Sequence, residues 1–181
     1  MKLTAAMAVT ALLLAGCSLT DTTAVPEGGW NAAELNEKFY IGEAAVGFPC
    51  TLDDLRQGFE RVEPVQLDNT DPEKIGLSGG SCYYLIHDGT AVGAAFDNDE
   101  NGTVECLSFY SDMAGAGREF TAPVKLNGVT LGSTRSEVEE RLGEVTDSSD
   151  GGFTLFLMTG GTDVTVHGKN DRVTKLEIKG E

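Results

Sequence analysis

The sequence predicts an α+β fold made of two tandem repeats, each a short helix packed on a small antiparallel β-meander. Three observations predict it. The stretch "VGFPCTLDDLRQGF" (46–59) aligns without a gap with "VTLGSTRSEVEERL" (129–142). Each copy is followed by three strand-like segments, and a Gly-Thr pair joins the first two in both, at Gly89-Thr90 and Gly161-Thr162. The third segments also align, Val104 with Val173, Leu107 with Leu176 and Phe109 with Ile178. Self-similarity of this kind marks one supersecondary unit used twice.

Each element follows from local chemistry. Thr51 with Asp54, and Thr134 with Glu137, supply Thr-x-x-acid helix starts; the second is a full capping box and the first its Asp variant. Leu52, Leu55 and Phe59 then recur at helical spacing in the first copy, and Val138 and Leu142 in the second. Gly58 and Gly143 fall near the helix ends, where glycine terminates helices at little cost. Such short helices need a sheet to lean on. The strands read "SCYYLIHD", "TAVGAAF" and "TVECLSFY", then "GFTLFLMT", "TDVTVHG" and "RVTKLEIKG". In "VTKLEIK" Leu176 and Ile178 fall on one face and Lys175, Glu177 and Lys179 on the other. This alternation predicts a sheet covered by a helix on one side and wet on the other.

The organisation along the chain is a signal segment at 1–16, a flexible tether at 17–36, a first α+β repeat at 37–112, a linker at 113–122 and a second repeat at 123–181. Lys2 followed by the apolar run Leu3–Ala15 has the form of a secretory signal, too short to span a bilayer. The run ends in Leu13-Leu14-Ala15-Gly16-Cys17, which resembles a bacterial lipobox. That resemblance implies a diacylglyceryl group, with palmitate as an expected acyl chain, on the thiol of Cys17, which becomes the first mature residue. Two or more chains give durable anchoring where one does not, so the expected location is outside the cytoplasm, on the cell membrane. The tether, "SLTDTTAVPEGGWN" onward, is small, polar and interrupted by Pro26, Gly28 and Gly29. The linker is glycine-rich, and the stretch "ERVEPVQLDNTDPEKIGLSGG" after the first helix is expected to be a surface loop.

Removing residues 1–16 takes away one lysine and no acids, leaving 12 basic and 29 acidic residues, a net charge of −17 over 165 residues. Such a surface repels nucleic acid and anionic headgroups and favours basic partners or divalent cations. A hydrophobic content of 40% with 8 Phe and 4 Tyr is enough for a core. Cys50, Cys82 and Cys106 remain after Cys17; an odd number leaves at least one thiol unpaired, and three pairings are open.

The segments "FPCTLDDLRQGF" and "LNGVTLGSTRSEVEERLGE" are similar to a group of two-repeat lipoproteins of uncharacterised role from Gram-positive bacteria. The Gly-x-Thr, helix and Leu-Gly pattern also resembles the helix-plus-meander unit of the β-lactamase-inhibitor-protein fold and of BamE-like (SmpA/OmlA) outer-membrane lipoproteins. The matching motifs are caps, turns and core positions, so they imply a fold and leave function to the surface.

Candidates for chemistry are few. "GLSGG" (76–80) satisfies Gly-x-Ser-x-Gly around Ser78, but a nucleophile elbow needs a strand before the serine and a helix after it. Here a loop containing Asp71-Pro72 precedes and a strand follows. The two histidines, His87 and His167, sit one in each repeat's strands. "DNDENGTVE" (97–105) imitates the start of a calcium loop through Asp97, Asp99, Asn101 and Gly102, but its twelfth position is Ser108 and both flanks read as strands. The matching place in the second copy, "HGKNDRV", is basic, and both copies keep turn formers, Asn101-Gly102 and Asn170-Asp171. A hairpin accounts for the stretch, with weak calcium binding as a side reading. There is no phosphate loop, Rossmann glycine pattern or zinc triad, so no catalytic, cofactor-binding or metal residue is assigned. The expected function is a lipid-anchored binding module with a protein or envelope partner; an enzyme inhibitor or secreted hydrolase is the alternative. An inhibitor would expose aromatics drawn from Tyr83, Tyr84, Phe109 and Tyr110.

Overall fold

Both capping boxes close in the computed structural model, which describes residues 22–65, 81–97, 102–111, 123–148 and 150–180. The Thr51 and Thr134 hydroxyls accept from the third helical N–H, and the Asp54 and Glu137 carboxylates accept from the capping N–H at 2.8 and 2.7 Å. They start α2 (Leu52–Gly58) and α3 (Arg135–Arg141). Leu142 follows α3, and Gly143 then takes a φ of 132°, a conformation costly for other residues. Gly58 acts otherwise: a Cβ there would overlap the Ile41 side chain, so its glycine serves close packing of the helix.

The remaining elements are α1 (Ala32–Asn36), β1 (Phe39–Ile41), β2 (Ala44–Ala45), β3 (Cys50–Thr51), β4 (Arg61–Pro64), β5 (Ser81–His87), β6 (Thr90–Asp97), β7 (Thr103–Tyr110), β8 (Val124–Leu126), β9 (Thr146–Asp147), β10 (Gly152–Met158), β11 (Thr162–Lys169) and β12 (Arg172–Gly180). The fold class is mixed, with antiparallel sheets. β5–β6–β7 and β10–β11–β12 are the two meanders. Two-residue turns with positive φ join β5 to β6 at Asp88-Gly89 and β11 to β12 at Asn170-Asp171, the backbone that matches strand twist in a hairpin.

The strands do not divide into two small sheets. β7 pairs antiparallel with β12 over Cys106–Tyr110, giving one large sheet in the order β4-β5-β6-β7-β12-β11-β10-β9, with β3 also on β7. The third strand of each meander would otherwise present a row of unpaired backbone groups, and joining them satisfies both rows. β1, β2 and β8 form a separate three-stranded sheet.

Two expected boundaries move. The tether was expected to run to residue 36, yet Trp30 is 8% exposed and Leu35 wholly buried. Asn31 caps α1, and the Asn36 amide donates to the Phe48 carbonyl at 2.7 Å. Burying an indole and a leucine outweighs the polar character of the segment, so the folded part begins before residue 37. Likewise, Arg61–Pro64 of the expected loop joins the sheet as β4, because Val62 packs on the core. Residues 66–80 and the linker 113–122 lie outside the described residues.

The core fills the space between one sheet face and the helices and small sheet. Leu107, Phe109, Leu155, Val164, Val166, Leu176 and Ile178 meet Leu55, Val138, Leu142, Phe39 and Leu126 there. Glycine allows two close aromatic contacts: a Cβ on Gly93 would strike Phe109, and one on Gly168 would strike Phe153. No helix among the described residues is long and apolar enough to cross a membrane.

Candidate functional site

Strand register fixes which residues share the other face. Lys175, Glu177 and Lys179 of β12 stand opposite Tyr110, Ser108 and Cys106 of β7 and opposite His167, Thr165 and Asp163 of β11. The same rows continue outward to Ala94 and Phe96 of β6, Tyr84 and Cys82 of β5, and Thr154, Phe156 and Met158 of β10. No helix among the described residues contributes to this face. Among the described residues, the exposed large hydrophobics Tyr84 (40%), Phe156 (68%) and Met158 (79%) all lie on it. Large apolar side chains concentrated on one open face call for a partner more than scattered ones would.

Between the apolar ends sits a polar centre. Lys175 Nζ is 2.8 Å from Glu177 Oε2, which also accepts from the Ser108 hydroxyl at 2.9 Å. The same ammonium lies 5.3 Å from the centre of the Tyr110 ring. Burial alone would raise the Glu177 pKa, but the hydrogen bonds from Lys175 and Ser108 outweigh it and hold the carboxyl below its ordinary value. Burial would lower Lys175, and Glu177 reverses that. Thr154 Oγ1 is 3.1 Å from His167 Nδ1, and the Phe156 ring stands edge-on to the imidazole at 6.2 Å. Burial first, and then the Lys175 charge, push His167 below its ordinary value. The neutral imidazole is thus favoured at neutral pH, and hydrogen bonds and ring contacts join the side chains of this centre.

The residues singled out from the sequence fare differently. Cys17, Ser78, Asp99 and Asn101 lie outside the described residues. Asp97 is buried at the end of β6, and Gly102 (φ 72°) leads into β7, so the "DNDENGTVE" stretch connects two paired strands. His87 closes β5 whereas His167 is on β11; three strands lie between them, so the sheet holds them roughly 19 Å apart. Of the four aromatics considered, Phe109 is wholly buried and Tyr83 packs on the core, while Tyr84 and Tyr110 face outward. Phe156 and Met158 were missed. "GFTLFLM" is apolar on both faces of its strand, and the signal available was that Thr154 shares their parity.

Cys50, Cys82 and Cys106 are all free thiols. Cys82 and Cys106 flank Phe96 in one row two strands apart, about 10 Å between Cα atoms, beyond the reach of a disulfide. Cys50 is on the core side, opposite Val104, where burial and then the charge of Asp54 push its pKa up to about 12.

Comparison with protein families and with curated proteins finds no match to this chain. A solved structure similar to it is a DUF4309 family protein (YjgB) from Bacillus subtilis subsp. subtilis str. 168, at 14% identity and a TM-score of 0.34, covering 74% of this chain and 80% of that one. That likeness is too distant to bear on function.

Proposed function

We propose that this protein is a non-catalytic interaction module, held at the outer face of a bacterial membrane by lipid on Cys17, which engages a protein or other envelope partner through the open face of its sheet. The observation that carries this reading is the gathering of Tyr84, Phe156 and Met158 on that face around the Lys175–Glu177 centre. Such a surface, apolar with fixed hydrogen-bonding groups between, suits binding; aromatic anchors supply area and the polar groups supply orientation.

We also read the fold as two tandem α+β repeats related by an approximate two-fold axis between β7 and β12. The support lies in the register. Leu107 corresponds to Leu176 in the aligned third strands, and Phe109 to Ile178. The pairs observed are Leu107 with Ile178 and Phe109 with Leu176, so each residue meets the counterpart of its neighbour, as a two-fold axis requires.

Two experiments test the reading. Cells expressing the full chain and fed labelled palmitate should label it, and Cys17→Ala should abolish the label and release the protein from membranes. Solubilised envelope proteins passed over the full chain should leave a specific partner bound, lost with Tyr84→Lys and with Lys175→Glu. A soluble, unlabelled wild type would overturn the anchoring; retention unaffected by either face variant would overturn the binding surface.

A further inference from the structure

The two ends of the large sheet are not finished alike. At one end β9 covers β10 only at Phe153 and Thr154, opposite Asp147 and Thr146. Leu155, Phe156, Leu157 and Met158 extend beyond it with no paired strand on that side among the described residues. The direction of the free backbone groups follows from the turn: the Ser148 N–H donates to the Gly152 carbonyl at 3.0 Å, so Gly152 points its carbonyl toward the outer edge. By strand alternation Thr154, Phe156 and Met158 do the same, while Phe153, Leu155 and Leu157 turn theirs toward β11. Phe156 and Met158 thus present both backbone groups and large exposed side chains to the same open edge. Nothing on β10 hinders a further strand: "GFTLFLM" has no charge and no proline, and no register shift interrupts its pairing with β11.

We infer that this edge pairs with a second copy of the chain, β10 against β10, antiparallel about a two-fold axis passing through Leu157. The uncharged, proline-free strand suits a second copy of itself, and two requirements then select the register. A two-fold axis normal to the sheet keeps both inner faces on one side, so it must pass through a residue and pair positions of equal parity. The axis must also keep the pairing clear of β9. An axis through Phe156 would set Thr154, already held by β9, against Met158 of the second copy. An axis through Leu157 uses only residues beyond Thr154. It sets Phe156 opposite Met158 of the second copy, and these are the residues whose backbone groups face outward. The Phe156 N–H then donates to the Met158 carbonyl and the Met158 N–H to the Phe156 carbonyl, with the reciprocal bonds given by symmetry. On the open face each phenyl ring meets a thioether, a favourable contact. On the inner face Leu157, itself packed on the core, meets Leu157. The strand complements itself in hydrogen bonds, shape and polarity at once.

This inference assigns Phe156 and Met158, at one end of the open face, to self-association, and leaves Tyr84, Tyr110 and Lys175 uncovered for the binding role proposed above. Sedimentation equilibrium of the purified full chain, in detergent matched for density, tests it. A reversible monomer–dimer equilibrium is expected, weakened at least about tenfold by Phe156→Lys and, independently, by Met158→Asp, and unchanged by Tyr84→Lys. Both edge residues are largely exposed, and circular dichroism melting checks that the variants fold. Leu157→Cys should cross-link two copies under mild oxidation, because non-hydrogen-bonded pairs bring Cα atoms to about 4.5 Å. A chain monomeric at all concentrations overturns the inference. So does a dimer that survives both edge substitutions, or one that Tyr84→Lys abolishes, which would place the contact on the face instead.

Discussion

The two edges of the large sheet solve one problem in opposite ways. At the β4 edge, Arg61 and Glu63 pair with each other, and Pro64 ends the strand. The Val65 N–H donates inward to the Cys82 carbonyl, so by alternation the N–H that proline lacks is one that would have faced outward. Charge and a missing donor on a short strand are how proteins keep sheet edges from recruiting others. At the β10 edge the outward positions are Phe156 and Met158, with backbone donors intact. Both edges belong to one sheet in one acidic molecule, so the difference is local chemistry. It marks β4 as a closed edge and β10 as one left available.

The largest effect that sharpens this comparison is on stability. Leu155 of β10 is 2% exposed, whereas Val62 of β4 is only partly buried. Leu155→Ala should cost about 2–5 kcal/mol in urea unfolding, and Val62→Ala clearly less. A β10 edge anchored no better than β4 would instead read as a frayed strand, and equal losses would break the comparison. Next comes assembly. Replacing Arg61 and Glu63 by Thr and Pro64 by Val removes both guards from β4, and light scattering should then detect concentration-dependent association that the wild type lacks at that edge. If the triple variant scatters no more than the wild type, the guards are not what closes β4.

Much of this architecture was legible because its signals are local. Thr51 with Asp54, and Thr134 with Glu137, lie three residues apart, and their capping bonds form whatever the rest of the chain does. Asn170-Asp171 takes its positive φ for the same kind of reason. The junction of β7 with β12 was not legible, because it joins Phe109 to Leu176 across 66 intervening positions and depends on two strands each lacking a neighbour. Trp30 was hidden for a related reason: its polar, glycine-containing surroundings describe a tether, and only a distant core gives the indole a place to bury. The open face was half legible. Alternation in β12 set Lys175 and Glu177 outward, but β10 is apolar on both sides, and parity alone cannot rank Phe156 against Leu157 without the neighbouring strand.

A smaller effect separates the two halves by pH. His167 has a folded pKa below 6.5, so the unfolded chain takes up a proton first and stability falls as pH drops through 6.5. Glu177 has a folded pKa below 4.5; its contribution is complete above 4.5 and is lost as pH falls through the depressed value. Both act in the same direction. Amide protection, with exchange corrected for its intrinsic pH dependence, should therefore fall on acidification more in β10–β12 than in β4–β6, first below pH 6.5 and again below 4.5. His167→Gln should remove the first step and Glu177→Gln the second. A uniform fall in protection across the sheet would mean that the polar centre does not carry the acid response.

The smallest effect concerns what the charges at the closed edge are for. Arg61 and Glu63 are 58% and 44% exposed, so water screens their attraction and the pair contributes less than about 1 kcal/mol to folding. Glu63→Gln should leave the melting temperature within a degree or two of the wild type. If the pair works as a guard, its value appears elsewhere. A neighbouring strand would have to desolvate Arg61 and Glu63 together, and that cost remains while Arg61 keeps its charge. Glu63→Gln alone should therefore keep β4 closed in the light-scattering assay, whereas adding Pro64→Val and Arg61→Thr should open it. A melting loss of several degrees from Glu63→Gln would instead make the pair a structural clamp, and the contrast between the edges would then rest on Pro64 alone.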